Sequence, residues 1–383
     1  MRKLAIIAGM CLLGMTTWAQ STKRVCDTIH YEFVQNKIII PVTVNGVAVK
    51  YIVDTGGQTG TDWENVQKME GVATGASNPI SDLNGMKQLY QVAEVKDVQL
   101  SPNYKLSKMK TMVFPVGGLF QALGVAGILG GDAFAQSVVT FDAREQIMVI
   151  NYPYRPERLK ITDGVEMYGG TTHHSIVKME LGGVEKEVLF DTGAGGFLLL
   201  NAAVFKEIEE NGNGERVARG CGINGIGLEG LCDPVEIEKV NVKEMIVLGK
   251  KFTNVGSVIS ERNSTLVGVD LLKYGKVVID YMRNRLYFFP FDSGASDMGG
   301  APKTWNVGIL PANERFEITT IWDSMKDVVT LGEQVIDING TDITGFPMSQ
   351  PVIDDLMNAI VEDTAYIIVL RDGKKEKIEI RRE

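Results

Sequence analysis

Most of the chain alternates between apolar and polar positions or runs through short apolar blocks, a pattern that predicts β-strands. Two stretches, residues 36–56 and 173–193, share one arrangement: an apolar strand, a two-residue turn and a second apolar strand. The turns are Asn45-Gly46 and Gly182-Gly183, which are typical of tight β-hairpins. Helical spacing is clear in few places, chiefly at 201–212 with Asn201 as N-cap. The sequence therefore predicts a mainly β protein.

The two hairpins belong to a longer internal repeat. Each ends in the triplet Asp-Thr-Gly, at Asp54 and at Asp191. The first is followed after 76 positions by Gly130 and the second after 77 positions by Gly268, each glycine preceded by two apolar residues. Matched order and spacing favour a duplicated unit of about 130 residues, each copy forming a small β-barrel.

The chain ends in a segment of different character. Residues 351–362 carry apolar residues at helical spacing between three predicted strands. A stretch rich in glycine, serine and alanine precedes the segment and reads as a linker. The predicted organisation is a signal peptide (1–19), a first lobe (20–155), a second lobe (156–292), a linker (293–303) and a small α+β domain (304–383).

The N-terminus predicts export. Arg2 and Lys3 precede an apolar run, and a small-residue exit ends at Ala19, the pattern of a secretory signal peptide. The alternative, a membrane anchor, needs a longer apolar run. We therefore expect a periplasmic or extracellular protein with no integral membrane segment after signal removal. The formal net charge is −9 and no basic patch stands out, which argues against nucleic acid as a partner.

The acids of the repeat suggest chemistry. An unpaired carboxylate inside an apolar run is unfavourable, so Asp54 and Asp191 need a reason to be there. Two equivalent acids brought together between two related lobes can share one proton and activate water without a metal. Asp132 and Asp270 form a rival symmetric pair. They stand at the start of short helical segments, where a carboxylate commonly caps backbone N–H groups, so we interpret them as structural.

The repeat resembles the pepsin and retropepsin-like aspartic proteases over residues 30–292. The resemblance is carried by 54–57 and 191–194, together with the apolar-apolar-glycine triplets 128–130 and 266–268. It implies two pseudo-symmetric β-barrel lobes with Asp54 and Asp191 as the catalytic pair. Their active-site loops would be supported by four neighbours: Thr55, Gly56, Thr192 and Gly193. The family usually has alanine or serine where this chain has Gly57, and no clear flap tip is visible in either half.

The last domain resembles a bacterial-protease PDZ domain. The resemblance lies in 332–343, which matches that family's stretch around Ile-Asn-Gly with Glu333 in place of aspartate. It implies that a peptide adds as a strand beside the predicted helix. Ile309 belongs to the strand that would face the peptide. Ile353 and Leu356 are candidates for the groove wall, with simple core packing as the alternative for either of these two.

Cysteines and histidines contribute less. Cys221 and Cys232 are the natural disulfide pair in an oxidising compartment, which leaves Cys26 over. Only three histidines are present, and the adjacent His173 and His174 make a poor metal pair. We expect no metal and no cofactor.

The sequence thus predicts an exported aspartic endopeptidase, active as a single chain on peptide or protein substrates. The alternative is a non-catalytic peptide-binding protein that keeps the protease fold, since a fold does not guarantee chemistry.

Overall fold

The computed structural model describes residues 24–81, 87–115, 118–223, 226–227, 230–261 and 264–383. The predicted signal peptide, 1–19, lies outside these ranges. Within them, no helix is both long enough and apolar enough to cross a membrane.

The first half of the chain forms a closed β-barrel. Strands β3, β4, β9, β5, β8 and β7 pair in that order, and β7 pairs back onto β3, which closes the ring. Strand β6 lies outside the ring as the partner of β7. The elements of this half are β1 (Val25–His30), β2 (Glu32–Val34), β3 (Lys37–Val44), β4 (Val47–Val53), β5 (Gly60–Thr61), α1 (Trp63–Lys68), β6 (Val72–Ser81), β7 (Lys87–Gln99), β8 (Lys105–Val113), α2 (Gly118–Leu123), β9 (Gly127–Leu129), β10 (Val138–Asp142) and β11 (Ile147–Tyr152).

The second half repeats this arrangement. Strands β13, β14, β21, β15, β20 and β19 form the second ring, closed by the pairing of β20 with β19, and β16 lies outside it as β6 does in the first half. The elements are β12 (Val165–Glu166), β13 (Ile176–Leu181), β14 (Val184–Asp191), β15 (Leu198–Asn201), α3 (Ala202–Glu210), β16 (Gly214–Gly222), β17 (Ile226–Gly227), β18 (Gly230–Leu231), β19 (Val235–Val247), β20 (Lys250–Ser260), β21 (Leu266–Gly268), β22 (Gly275–Asp280) and β23 (Arg285–Pro290).

Local sequence explains the turns and caps of both halves. Both residues of each two-residue turn, Asn45-Gly46 and Gly182-Gly183, have positive φ, a conformation that asparagine and glycine tolerate best. The predicted helix is α3, and the side chain of Asn201 accepts a hydrogen bond from the N–H of Ala203, as its N-cap role requires. The duplicated hairpins and the one clear helix are therefore confirmed.

A six-stranded sheet joins the halves. Its order is β1-β11-β10-β22-β23-β12, and β10 pairs antiparallel with β22 at its centre. Because β10 and β22 are equivalent strands of the two copies, this pairing places the halves about a pseudo-twofold axis. A continuous apolar core runs through both barrels and under this sheet.

The C-terminal segment has its own apolar core, with Phe316, Ile318 and Ile367 at its centre. Its elements are β24 (Ser296–Gly300), β25 (Val307–Ala312), β26 (Arg315–Trp322), β27 (Gln334–Ile338), β28 (Thr341–Asp342), α4 (Gln350–Ala359), β29 (Thr364–Arg371) and β30 (Lys374–Arg381). Strand β24 falls inside the stretch predicted as a linker and pairs with β20 at the edge of the second barrel. The mainly β class, with two related barrels and a small α+β segment, is confirmed.

Candidate active site

The two Asp-Thr-Gly loops lie at equivalent points of the two barrels. Strand β4 runs parallel to β9, and β14 runs parallel to β21. Asp54 directly follows β4 and its N–H donates to the carbonyl of Leu129 at 2.9 Å, whereas Asp191 is the last residue of β14. Each acid is therefore held at the carboxyl end of a pair of parallel strands, facing the other half.

The threonines join the loops across the pseudo-twofold axis. The N–H of Thr55 donates to Oγ1 of Thr192 at 3.1 Å, and the N–H of Thr192 donates to Oγ1 of Thr55 at 3.0 Å. Each hydroxyl also donates to a carbonyl of the opposite half, Thr55 to Phe190 and Thr192 to Val53, both at 2.7 Å. Both side chains are buried. Four reciprocal hydrogen bonds thus fix the relative position of the two acids.

The carboxyl groups of Asp54 and Asp191 lie close together, because each packs against the glycine of the opposite loop and the charge of Asp54 acts on Asp191. Two carboxyl groups this close repel each other when both are ionised, so the pair favours the state that holds one proton. The N–H of Gly56 donates to Asp54 at 3.0 Å and the N–H of Gly193 to Asp191 at 2.7 Å, which orients each group. Burial, and next the charge of Asp54, raise the pKa of Asp191 well above its usual value of 3.8.

The glycines of the triplets leave room for this arrangement. A methyl group on Gly56 would overlap the carboxyl group of Asp191, and one on Gly193 would overlap that of Asp54. A methyl group on Gly57 would lie 2.9 Å from Oδ2 of Asp54, which is closer than a side chain normally approaches. The absence of a side chain at this position therefore has a local cause, since Asp54 lies close to the main chain of residue 57.

The rival acids, Asp132 and Asp270, make contacts of a different kind. Asp132 accepts hydrogen bonds from the N–H of Thr59 at 3.0 Å and from its hydroxyl at 2.8 Å, so it braces the loop after the first triplet. Asp270 forms an ion pair with Lys273 at 2.8 Å. These contacts fit the structural role predicted for both. Among the residues that the structure describes, no three His, Cys, Asp or Glu side chains are grouped so that they could hold a metal ion.

Each half carries a long β-hairpin in the interval where the sequence left the flaps unplaced. In the first half it is formed by β6 and β7, and residues 82–86 at its tip are outside the described ranges. In the second half it is formed by β16 and β19, with 224–225 and 228–229 outside those ranges. We call these the first and second hairpins.

The predicted disulfide within the second hairpin is wrong for this structure, because Cys221 and Cys232 are not joined. Cys221 lies opposite Glu236 in the strand pair, four positions beyond Cys232. A disulfide requires Cα atoms within about 7 Å, so this register separates the cysteines along the hairpin. Cys26, the third cysteine, is also outside any disulfide.

The groove-wall candidates of the C-terminal segment differ in exposure. Ile309 on β25 and Ile353 on α4 are buried in the apolar core, whereas Leu356 is only partly buried against it. A cleft of about 960 Å³ lies at one end of this region. Pro311 and Ala312 of β25, the start of α4 and the second hairpin line it.

Two residues near the dyad escaped sequence reasoning. Lys37 begins β3, and its Nζ donates to the carbonyl of Gly193 in the opposite half. His174 precedes β13, and the charge of Asp54 raises its pKa against the larger effect of burial. The signal was present in the repeat, since aligning 36–56 with 173–193 places Lys37 on His174.

No family model and no curated protein matches the sequence. Among solved structures, the chain is similar to the aspartic proteinase from Irpex lacteus, with a TM-score of 0.44 and 12% sequence identity. The similarity covers 70% of this chain and 98% of that one. A likeness this distant says nothing about activity, and the geometry of the two loops is what bears on the function of this chain.

Proposed function

We propose that the protein is an aspartic endopeptidase whose dyad is Asp54 and Asp191. The observation that carries the proposal is that the two acids lie close together at the pseudo-twofold axis, each against the glycine of the opposite loop, with the loops held by the reciprocal bonds of Thr55 and Thr192. A structural acid pair does not need this arrangement, because burying two like charges together is unfavourable unless a proton is shared.

The unequal burial of the acids suggests their roles. Asp191 is 8% exposed and has the raised pKa, so it holds the proton and donates a hydrogen bond to the carbonyl of the scissile peptide. Asp54 accepts a proton from the attacking water. The water oxygen bonds to the carbonyl carbon while the proton of Asp191 moves to the carbonyl oxygen, giving a tetrahedral diol. Asp54 then passes its proton to the leaving nitrogen, a diol proton returns to Asp191, and the C–N bond breaks.

The substrate would be an extended peptide or protein segment lying between the two hairpins. A single chain supplies both acids, which supports a monomeric active unit. The N-terminal sequence supports export to the periplasm or the exterior, as set out above.

The C-terminal segment would bind peptides by strand addition. Strand β25 pairs with β26 on one side, and among the described strands it has no partner on its other side, where α4 lies. A peptide can add to such an edge through main-chain hydrogen bonds. Leu356 has exposed surface to offer a peptide side chain, and Ile309 and Ile353 would support the groove from the core.

Peptide-library cleavage tests the proposal. The wild type should hydrolyse internal peptide bonds, and Asp54→Asn and Asp191→Asn should each lose at least about 1,000-fold in kcat/KM, because neither variant can complete the proton transfers. Circular dichroism should show that both variants remain folded, and Asp323→Asn, on an exposed turn, is the matched control. A wild type that binds library peptides without cleaving them would establish the non-catalytic alternative.

A further inference from the structure

Lys37 and His174 occupy equivalent places in the repeat. Ile39 pairs with Ile52 between β3 and β4, and Ile176 pairs with Leu189 between β13 and β14. Each of these pairs lies two residues before an acid of the dyad, and two residues after Lys37 or His174. The preceding residues, Asn36 and His173, share a left-handed main chain, with φ of 57° and 58°. The same local fold therefore presents a basic side chain in each half.

Each of the two side chains is set against the opposite half. Lys37 of the first half donates to the carbonyl of Gly193 and lowers the pKa of Asp191 against the larger effect of burial. On the other side, the carbonyl of His173 packs so closely on Gly131 that a methyl group there would overlap it. This contact brings His174 of the second half near Asp54 and Asp132 of the first.

The charges of the two residues differ. Lysine is protonated throughout the range in which a carboxyl pair titrates. Burial lowers the pKa of His174 below its usual 6.5, although Asp54 and Asp132 oppose this and His173 adds to it. Tyr281 completes the surroundings, with its ring against His173 and its buried hydroxyl near the same two acids. His174 is therefore neutral at neutral pH and gains its charge only in acid.

The imidazole also has an unused hydrogen-bonding atom. Nε2 of His174 is buried and, among the described residues, has no hydrogen-bond partner. A buried polar atom without a partner is unfavourable and calls for an explanation. A role in the chemistry of the neighbouring acids provides this explanation, since the protonated ring would place a hydrogen-bond donor and a positive charge beside the acids.

We propose that Lys37 and His174 are a matched pair of positioning residues, each set against the Asp-Thr-Gly loop of the opposite half, which together decide how the two acids share their proton. The inference rests on the proposed function, because it concerns the same dyad. A positive charge nearby favours the ionised form of a carboxyl group. Lys37 would act on the dyad at every working pH, and His174 only at the acidic end.

The pH profile of kcat/KM tests the pair. Activity requires one proton on the dyad, so an acidic and an alkaline limb report its two apparent pKa values. Lys37→Met should move both limbs to higher pH by about one unit, and Lys37→Arg should leave them in place. His174→Gln should move the acidic limb alone to higher pH, because the wild-type ring is charged only there.

Matched controls are available on the surface. Lys50 lies on β4 and pairs with Glu32 at 2.8 Å, and His30 is exposed at the end of β1. Lys50→Met and His30→Gln repeat the same chemical changes away from the dyad and should leave both limbs unmoved. A loss of activity in Lys37→Met with both limbs at their wild-type positions would show a merely structural role and overturn the proposal for Lys37. In His174→Gln, limbs at their wild-type positions, or a shift of both limbs, would overturn the proposal for His174.

A second measurement does not depend on catalytic activity. Infrared titration of the carboxyl groups, with Asp54→Asn and Asp191→Asn to assign the signals, follows the dyad directly in the full-length protein. The dyad signal should titrate at higher pH in Lys37→Met than in the wild type. An unchanged titration overturns the tuning whatever the activity. A shifted titration in a protein that cleaves no peptide supports the tuning while the proposed function fails.

Discussion

The first and second hairpins are copies of one element in different surroundings. In the first, β6 is the outermost strand of its sheet, and residues 72–79 are all exposed. In the second, the end of β16 pairs with β26 of the C-terminal segment at 220–222, and the N–H of Ile223 donates to the carbonyl of Thr319 at 2.9 Å. The sheet of the second barrel thus continues into that segment.

The junction at the second hairpin also involves side chains. Lys239 on β19 is 3% exposed, its Nζ donates to the main-chain oxygen of Glu383 at 2.6 Å, and it lies 4.6 Å from the ring centre of Trp322. A repeat supplies two equivalent hairpins, and an added segment makes one of them part of a larger sheet. Among the described strands, the first hairpin therefore ends in an unpaired edge, whereas the second hairpin is braced by the C-terminal segment.

The largest expected effect comes from separating β16 from β26. A side chain on Gly222 would begin 2.6 Å from Cα of Thr320, so Gly222→Val should force the strands apart. We expect a loss of about 3 kcal/mol in the free energy of unfolding. Hydrogen exchange of the Ile223 amide should accelerate on the order of 100-fold, while that of Met112 in the first barrel stays unchanged.

Ala73→Val adds similar bulk to the exposed strand β6 and is the control for this variant. It should leave both amides and the stability unchanged. If Gly222→Val leaves exchange at Ile223 unaltered, the second hairpin does not depend on the C-terminal segment and the contrast between the hairpins is lost.

The second expected effect concerns the unequal acids. Asp191 binds its proton more tightly in the folded chain than in the unfolded chain, because its folded pKa is raised. Its contribution to stability is therefore complete below about pH 4 and decreases as the pH rises through the folded pKa. At pH 7 the free energy of unfolding of Asp191→Asn should exceed that of the wild type by about 1.4 kcal/mol for each unit by which the pKa is raised.

Asp54→Asn should gain less in the free energy of unfolding, since Asp54 is more exposed than Asp191. Denaturant titrations at pH 4 and pH 7 measure both variants, and the advantage of Asp191→Asn should vanish at the lower pH. Equal gains for the two variants would mean that the halves bury their acids alike.

A smaller effect should follow from the fourth position of each loop. Gly57→Ala places a methyl group against Asp54 and should lower kcat/KM about threefold by displacing that carboxyl group. Ala194→Gly in the other half should change it little. Peptide hydrolysis under single-substrate conditions measures both, and an unaffected Gly57→Ala would contradict the close approach.

The smallest expected effect is none at all. Since Cys221 and Cys232 are not joined, a reducing agent should leave the melting temperature unchanged. Thermal unfolding with and without reductant checks this, and a lower melting temperature in reductant would restore the disulfide.

Much of the fold could be predicted from the sequence because it is encoded over short distances. The two-residue turns at 45–46 and 182–183 and the cap of α3 depend on residues within a few positions of one another. The repeat could be found because copies keep their spacing, and this spacing placed Asp54 and Asp191 at the ends of equivalent strands.

What the sequence did not reveal depends on contacts between residues that are far apart in the chain or in the strand register. The disulfide prediction considered the separation of two cysteines along the chain, and the strand register decided against it. His174 was considered only as a metal ligand, because nothing local connects it with an acid 120 positions earlier.

By itself, then, the sequence determined two related barrels, a pair of equivalent acids and a distinct C-terminal segment. Only the tertiary structure decided that Lys37 and His174 each lie against the other half, and that β16 continues into β26. The reason is physical: alternation, turns and caps act between neighbours in the chain. The partner of a free strand edge or a basic side chain is chosen by how packed and twisted sheets meet in space.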